Sequence, residues 1–181
     1  MELTIRTSAE LTPDELADAR ALCDAAWGAK GRRFRDESWK LALGGTHVLG
    51  RADGRMVVHV SAVDRVLEID GRPYTTGYVE AMATLPERWH QGLGTIGLEA
   101  INAVIDERYE LGGLATGANR FYERLGWERW PGRLGVRRDD GVDLTPWEKG
   151  DVMVRVPPGS SVPFDGESLL TCEPRPGHDD W

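Results

Sequence analysis

One glutamate, Glu80, lies in an otherwise apolar run, VEAMA, that has the pattern of a β-strand. A carboxylate in such a strand carries a desolvation cost, which favours a functional role. A carboxylate in this position can accept a proton from a substrate group that lies within one or two waters of it. The alternation of a strand puts Glu80 on the same face as Met82 and Thr84. Glu80 is therefore a candidate general base, with a salt bridge to a nearby arginine as the structural alternative.

A glycine-bearing loop, WHQGLG at residues 89–94, follows this strand and leads into a helix. Gly92 and Gly94 let the backbone approach a ligand closely. The first amides of a helix point outwards and its dipole favours anions, so a pyrophosphate fits there. The loop lacks the GxxxxGK[ST] of nucleotide triphosphatases and the full GxGxxG of a dinucleotide fold. Taken alone, the pattern fits a plain loop-to-helix turn equally well.

A third segment of interest is NRFYERLGW at residues 119–127. The spacing predicts a short helix with Phe121, Tyr122 and Leu125 on one face, ended by Gly126 and followed by the start of a strand. Without further context, this pattern favours a helix that packs on the core with Tyr122 half-buried.

The composition is that of a folded domain, with 181 residues of which 40% are apolar and 29% charged. No apolar run approaches the ~20 residues that span a bilayer, and no basic segment followed by an apolar stretch marks a signal peptide. Cys23 and Cys172 lie far apart without CxxC spacing, and no HxxH or HExxH occurs. These features predict a cytoplasmic protein without a disulfide scaffold, a metal site or a membrane partner.

The negative charge is concentrated near one end of the sequence. The net charge is −8, and residues 139–181 hold 10 acidic and 3 basic residues, whereas the rest holds 20 acidic and 19 basic ones. A binder of the nucleic-acid backbone would carry a basic stripe, so nucleic acid is not expected as a partner. The acidic segment suits a small cationic partner, with a solvated acidic surface as the alternative.

The periodicity predicts one mixed α/β domain over residues 1–181. The start of the first helix is marked by two signals. Thr12 and Glu15 form a capping box, and Pro13 occupies the first helical position. The predicted helices are 13–27, 36–42, 92–108 and 118–125, and the predicted strands are 3–7, 46–51, 55–69, 74–84, 112–116, 151–156 and 168–172.

In this order and at this distance, WHQGLG and YERLGW (122–127) resemble the [QR]xxGx[GA] loop and the YExxGF-like segment of the Gcn5-related N-acetyltransferase (GNAT) superfamily. Trp89 stands where that family usually has Arg or Gln. A further resemblance, to the aminoglycoside 2′-N-acetyltransferases, is carried by five features: GYVEAM, LGGTHVL, YELGGL, FYERLGW and Trp181. The resemblance implies an α/β (α+β mixed sheet) GNAT acetyltransferase fold, in which helices flank a mostly antiparallel sheet that is splayed at the acetyl-coenzyme A site. It also implies acetyl-coenzyme A as cosubstrate and, in similar enzymes, a homodimer.

The same resemblance assigns roles to individual residues. Glu80 would act as the base through water, Tyr122 would protonate the departing thiolate, and Trp181 would pack in the substrate pocket. The backbones of Met82 and Thr84 would pair with the pantetheine arm, as an added strand does. The implied cofactor-binding residues are Met82, Thr84, Trp89, His90, Gln91, Gly92, Leu93, Gly94, Thr95 and Asn119.

The implied substrate residues include acids near the end of the chain, where Asp179 and Asp180 compete for one role. In the stretch GRRFRDESW (31–39), Arg33 and Ser38 replace two aspartates of the family, although Asp36 and Glu37 could restore the negative charge. This change favours a less cationic aminoglycoside with a carboxylate, such as kasugamycin, paired with Arg33 or Arg35. The full set of expected substrate residues is Arg33, Arg35, Asp36, Glu37, Ser38, Ala81, Glu148, Asp179 and Asp180.

Two other functions fit the same residues. One is an acetyltransferase for another small amine, such as a metabolite or a polyamine. The other is a coenzyme A-binding sensor that has lost catalysis, which the presence of both Glu80 and Tyr122 argues against.

Overall fold

The structure is a computed structural model that describes residues 1–175 and 177–181. The chain forms two compact units, each built from two segments. Unit 1 comprises Met1–Val63 and Val79–Val104, and unit 2 comprises Asp64–Tyr78 and Ile105–Trp181. The expectation of one domain over residues 1–181 stays a prediction.

The secondary structure follows a mixed order of strands and helices. Short 3-10 turns lie at Ser8–Glu10, Pro86–Arg88 and Pro146–Glu148. The helices are α1 (Pro13–Gly28), α2 (Asp36–Ala42), α3 (Leu93–Arg108) and α4 (Asn119–Glu123), and the strands are β1 (Glu2–Thr7), β2 (Gly45–Ala52), β3 (Arg55–Ile69), β4 (Arg72–Thr84), β5 (Leu111–Ala115), β6 (Glu128–Arg129), β7 (Arg133–Arg138), β8 (Gly141–Leu144), β9 (Val152–Arg155) and β10 (Leu169–Cys172).

Helix α1 begins where the capping signals place it. The Thr12 hydroxyl accepts a hydrogen bond from the Glu15 amide at 3.2 Å, and the Glu15 carboxylate accepts one from the Thr12 amide at 2.9 Å. These bonds satisfy two of the backbone donors that a helix start leaves open. The helix buries Ala19, Leu22, Cys23 and Ala26, which recur at helical spacing and join the apolar core of unit 1.

In unit 1, β2 lies antiparallel between β1 and β3. The register sets His47 opposite Ser61 and Leu49 opposite His59. His47 and His59 are therefore diagonal neighbours on one face, within reach of each other's side chains. Both histidines are fully buried.

The strands that pair in unit 2, which include the part of β3 from Asp64 and the part of β4 up to Tyr78, follow the order β6-β9-β5-β4-β3-β10-β7-β8. Two pairs are parallel, namely β4 with β5 and β7 with β10. Four pairs are antiparallel, namely β5 with β9, β6 with β9, β3 with β10 and β7 with β8. The prediction of a mixed, mostly antiparallel sheet flanked by helices is confirmed. The splay of that sheet at a cofactor site stays a prediction.

The hairpin of β7 and β8 was not predicted from the sequence. Residues 133–144, RLGVRRDDGVDL, mix charged residues with apolar ones, and only Leu134 and Val136 alternate inwards. The two residues of the turn are Asp139 and Asp140, which are not one of the Asn-Gly or Asp-Gly pairs that mark such a turn in a sequence. Among residues 1–175 and 177–181, no helix has the length and apolar character to cross a bilayer.

Candidate active site

The second half of β4 has the alternation expected of it. Glu80, Met82 and Thr84 are partly exposed, and they alternate with buried Ala81 and Ala83. The three residues expected to face a ligand thus share one face of the strand. The side chain of Ala81, a residue expected near the substrate, lies in the core of unit 1, and its place at the substrate stays a prediction.

The backbone is kinked at Ala81, where φ is +49°. A residue other than glycine is uncommon in this left-handed region and costs on the order of 1–3 kcal/mol when the surroundings hold it there. Two side chains of β3 bind the carbonyls on either side of the kink. His59 Nδ1 lies 2.9 Å from the Ala81 oxygen, and the Ser61 hydroxyl donates to the Glu80 oxygen at 3.2 Å.

His59 belongs to a buried histidine pair, which sequence reasoning left without a function. His47 Nδ1 lies 3.0 Å from His59 Nε2. Burial lowers the pKa of His47 to about 4. Burial, together with the neighbouring His47, also lowers the pKa of His59 to about 4. Both rings are therefore neutral at pH 7. The two rings meet because β2 and β3 pair in this register, and no sequence motif indicates that register.

This pair makes stability depend on pH in a defined window. Unfolded histidines take up a proton near pH 6.5, but the buried rings resist it down to about pH 4. The stabilisation is present above pH 6.5 and is lost as the pH falls to 4, on the order of 3 kcal/mol for His59. Urea unfolding at pH 7 and pH 4.5 should show this loss, and His59→Leu should show a smaller one. Equal losses in both proteins would contradict the assignment.

The loop after β4 is shaped for an anion. His90 has φ of +65° and Gly92 of +78°, and the Gly92 oxygen accepts from the Ile96 amide at 3.1 Å in the first turn of α3. A Cβ at Gly92 would meet no atom within 4 Å, so the positive φ is what requires glycine there. No acidic residue lies in the first turn of α3. The open amides and the helix dipole therefore fit a pyrophosphate.

The remaining loop residues line this turn. Trp89 donates from Nε1 to the Thr84 oxygen at 2.9 Å, which fixes the loop to the end of β4. Gln91 is exposed, and Leu93, Gly94 and Thr95 form the partly exposed first turn of α3. No group of three or more His, Cys, Asp or Glu side chains among the described residues could hold a metal ion.

The segment 33–38, at the start of α2, holds two arginines and two acids. Arg33 and Arg35 are exposed. Asp36 is paired with Arg20 at 2.8 Å, and this guanidinium lowers the pKa of the Asp36 carboxyl. Glu37 is exposed and Ser38 partly buried in the first turn of α2. The charge of Asp36 is therefore balanced by Arg20 from α1.

In unit 2, Tyr122 is buried on α4, with 7% of its surface exposed. Its ring packs edge-on against Phe121 at 5.0 Å and Trp127 at 6.2 Å between centroids. Asn119, expected at the cofactor, donates its side-chain amide to the Gly150 oxygen at 2.6 Å. Its side chain thus ties α4 to the turn before β9.

Several carboxylates of unit 2 lie near one another. The pKa of Glu148 is raised, first by burial and then by the negative charges of Asp151, Asp179 and Asp180. Such mutual repulsion is relieved when a cation binds. Glu148 and Asp179, both expected at the substrate, are brought together here. We call Glu148, Asp151, Asp179 and Asp180 the acidic cluster.

Within this cluster, Asp180 accepts hydrogen bonds that hold the segment in place. One carboxylate oxygen accepts from the Arg175 amide at 2.7 Å and the other from Arg138 at 3.2 Å, while its backbone oxygen accepts from Arg65 at 3.0 Å. Trp181 is 5% exposed, and its Nε1–H donates to the Thr145 hydroxyl at 3.1 Å. These contacts anchor the segment and make Asp179 the better candidate for the substrate.

Comparison with known proteins identifies the family. Residues 7–130 match the acetyltransferase (GNAT) domain. A relative from Mycolicibacterium fortuitum is named aminoglycoside 2′-N-acetyltransferase, and its sequence is 33% identical to this chain over 152 residues. The aligned part covers 82% of this chain and 77% of the relative.

Two solved structures share the fold at low identity, and this likeness bears on the fold alone. An acyl-CoA N-acyltransferase from Pseudomonas aeruginosa has a TM-score of 0.62 at 17% identity and covers 86% of this chain and 99% of its own. A probable N-acyltransferase from Enterococcus faecalis V583 has a TM-score of 0.56 at 17% identity over 71% of this chain, which spans 33% of that longer protein. The sequence match and the fold agree, and the chain belongs to the GNAT family of acetyltransferases.

Proposed function

We propose that the chain transfers an acetyl group from acetyl-coenzyme A to the 2′-amino group of an aminoglycoside. The acidic cluster of unit 2 supports this proposal, because burial and the nearby negative charges raise the pKa of Glu148, and such a surface suits a substrate with ammonium groups. The named relative at 33% identity supports the same substrate class. The biological outcome would be resistance to the antibiotic or protection of a producer.

The transfer is direct, within a ternary complex. An acyl-enzyme would need a reactive thiolate, but Cys23 and Cys172 are both fully buried. Burial raises the pKa of Cys23 to about 12 and also raises that of Cys172. Neither thiol suits a nucleophile.

The GNAT fold uses acetyl-coenzyme A, whose thioester supplies the acetyl group. The open amides at the start of α3 and the turn at His90–Gly92 would hold the pyrophosphate. The partly exposed face of β4 at Met82 and Thr84 would hold the extended arm through backbone hydrogen bonds.

Two side chains would move the protons of the reaction. Glu80 would accept a proton from the substrate ammonium through water, which frees the amine lone pair for attack. Tyr122 would donate its phenolic proton to the sulfur as the C–S bond breaks, since a phenolate and a thiolate have comparable basicity. The acetylated nitrogen would release its second proton to solvent, from which the phenol is restored.

The residues near α2 refine the substrate choice. Arg33 and Arg35 are exposed and Asp36 is held by Arg20, so this segment would repel a polycation and attract a carboxylate. We expect a higher kcat/KM for kasugamycin than for kanamycin B, the kanamycin that carries a 2′-amine, and a shift of the ratio towards this kanamycin in Arg33→Asp. A preference of the wild type for kanamycin, or an unchanged ratio in the variant, would contradict this refinement.

The anchoring of Trp181 bears on amine binding. Trp181→Ala should raise the KM for the best amine by roughly tenfold, because the segment with Asp179 loses its contact to Thr145 and its order. The affinity for coenzyme A should stay within twofold of the wild type. Trp181→Phe keeps most of the packing and should give a smaller rise. A wild-type KM in Trp181→Ala would show that the segment does not position the substrate.

A thiol-release assay with acetyl-coenzyme A and a panel of amines tests the function. We expect turnover with aminoglycosides that have a 2′-amine, and little turnover with polyamines or simple metabolite amines. Faster turnover with the latter would make the chain an acetyltransferase of another small amine. Coenzyme A binding without turnover on any amine would favour a sensor.

A further inference from the structure

A continuous chain of buried polar groups ends on the backbone beside Glu80. Ser8 Oγ lies 2.8 Å from His47 Nε2, His47 Nδ1 lies 3.0 Å from His59 Nε2, and His59 Nδ1 lies 2.9 Å from the Ala81 oxygen. Ser8 is partly exposed, and both histidines are fully buried. All of these groups belong to unit 1.

The order of donors along this chain is fixed by its last acceptor. A carbonyl oxygen only accepts, so His59 must carry its hydrogen on Nδ1. A neutral ring has one hydrogen, so His59 Nε2 accepts and His47 must also carry its hydrogen on Nδ1. The Ser8 hydroxyl then donates to His47 Nε2, although the Gly45 oxygen lies 3.0 Å from the same hydroxyl.

The bonded carbonyl lies at the strained point of β4. Ala81 holds a φ of +49°, and such a conformation persists only where its surroundings determine it. The hydrogen bond from His59 to Ala81 and the one from Ser61 to the Glu80 oxygen hold two successive carbonyls. Without them, the backbone would relax towards ordinary strand geometry and turn the side chain of Glu80.

We propose that His59, oriented by His47 and Ser8, is a positioning residue that fixes the kink at Ala81 and thereby the direction of the Glu80 side chain. This inference rests on the proposed role of Glu80 as the base. The chain moves no proton to Glu80, because it ends on a carbonyl and not on the carboxylate.

The other neighbours of His59 are poorly suited to replace it. The Cys23 sulfur lies 3.7 Å from the Ala81 oxygen and is only a weak donor. The Trp39 ring lies 5.8 Å from the His59 ring between centroids and packs against it. Compared with these neighbours, His59 is the strong side-chain donor to this carbonyl.

The donor order is tested by proton-detected ¹⁵N spectra of the histidine rings in the intact protein at pH 7. His47→Asn and His59→Asn assign the signals, because His90 and His178 also contribute. Hydrogen on Nδ1 of both His47 and His59 supports the proposal. Hydrogen on Nε2 of either ring overturns it.

The positioning role is tested by kinetics. His59→Leu should lower kcat about tenfold or more, the scale of a small misplacement, while the KM for acetyl-coenzyme A stays within twofold. His59→Asn places an amide donor near the position of Nδ1 and should recover most of the loss. Val48→Ala, a buried change on the same strand as His47, should keep the wild-type kcat. A wild-type kcat in His59→Leu, or an equal loss in Val48→Ala, overturns the proposal.

A milder pair of variants covers the case in which His59→Leu does not fold. Ser8→Ala removes the outer end of the chain and should lower kcat by a factor of a few, and Ser8→Thr should restore it. Equal kcat in all three proteins overturns the proposal. Failure of the underlying function is distinguishable, because turnover of Glu80→Gln at the wild-type rate would remove Glu80 as base whatever the histidine spectra show.

Discussion

Replacing Glu80 by glutamine is expected to lower acetylation by roughly 100-fold or more, the scale of a lost general base. Glutamine keeps the size and polarity of the side chain but accepts no proton at neutral pH. The fold and the affinity for coenzyme A should be unchanged, since the strand binds through its backbone. The measurement is kcat by thiol release and coenzyme A affinity by calorimetry.

The pH dependence of the Glu80 variant separates a base from a structural role. The rate of Glu80→Gln should rise with pH, because the substrate amine then loses its proton to solvent. Glu107→Gln is a matched control on the exposed side of α3 and should behave as the wild type. Turnover of Glu80→Gln equal to the wild type across pH 6–9 would remove Glu80 from the mechanism.

Replacing Tyr122 by phenylalanine is expected to lower kcat by roughly 100-fold, as for a lost general acid. The contacts of the ring with Phe121 and Trp127 are apolar and edge-on, so phenylalanine preserves them. The amine KM should stay close to that of the wild type. The loss therefore reports the hydroxyl alone.

Tyr74→Phe is the matched control, because it removes the hydroxyl of another buried tyrosine in unit 2. Its kcat should equal that of the wild type. A wild-type kcat in Tyr122→Phe would mean that solvent protonates the thiolate. An equal loss in Tyr74→Phe would mean that any buried hydroxyl of the unit affects turnover through the fold.

The sequence predicts the elements whose signals are local. The capping box at Thr12, the proline at position 13 and the helical spacing of Leu22, Cys23 and Ala26 define α1 nearly to the residue. The alternation at Glu80 places it on the partly exposed face of β4. Both signals depend on residues within one helix or strand, so a single sequence carries them.

Features that depend on pairing between distant segments were not predictable. His47 and His59 meet because β2 and β3 pair in one register, and no motif encodes that register. Asp180 is held by Arg65 and Arg138 from far along the chain, so the competition between Asp179 and Asp180 could not be decided from the sequence. The kink at Ala81 could not be predicted from the sequence, since an alanine adopts a positive φ that usually requires glycine.

Transfer of acetyl to the 2′-amine of an aminoglycoside places the acetyl group at one defined nitrogen of the product, and this position can be measured. The best substrate from the panel is acetylated with ¹³C-labelled acetyl-coenzyme A, and the product is analysed by NMR. A matched aminoglycoside with a hydroxyl in place of the 2′-amine serves as control. We expect one amide at the 2′-nitrogen and no product from the control. An amide at another nitrogen, or equal acetylation of the control, would contradict it.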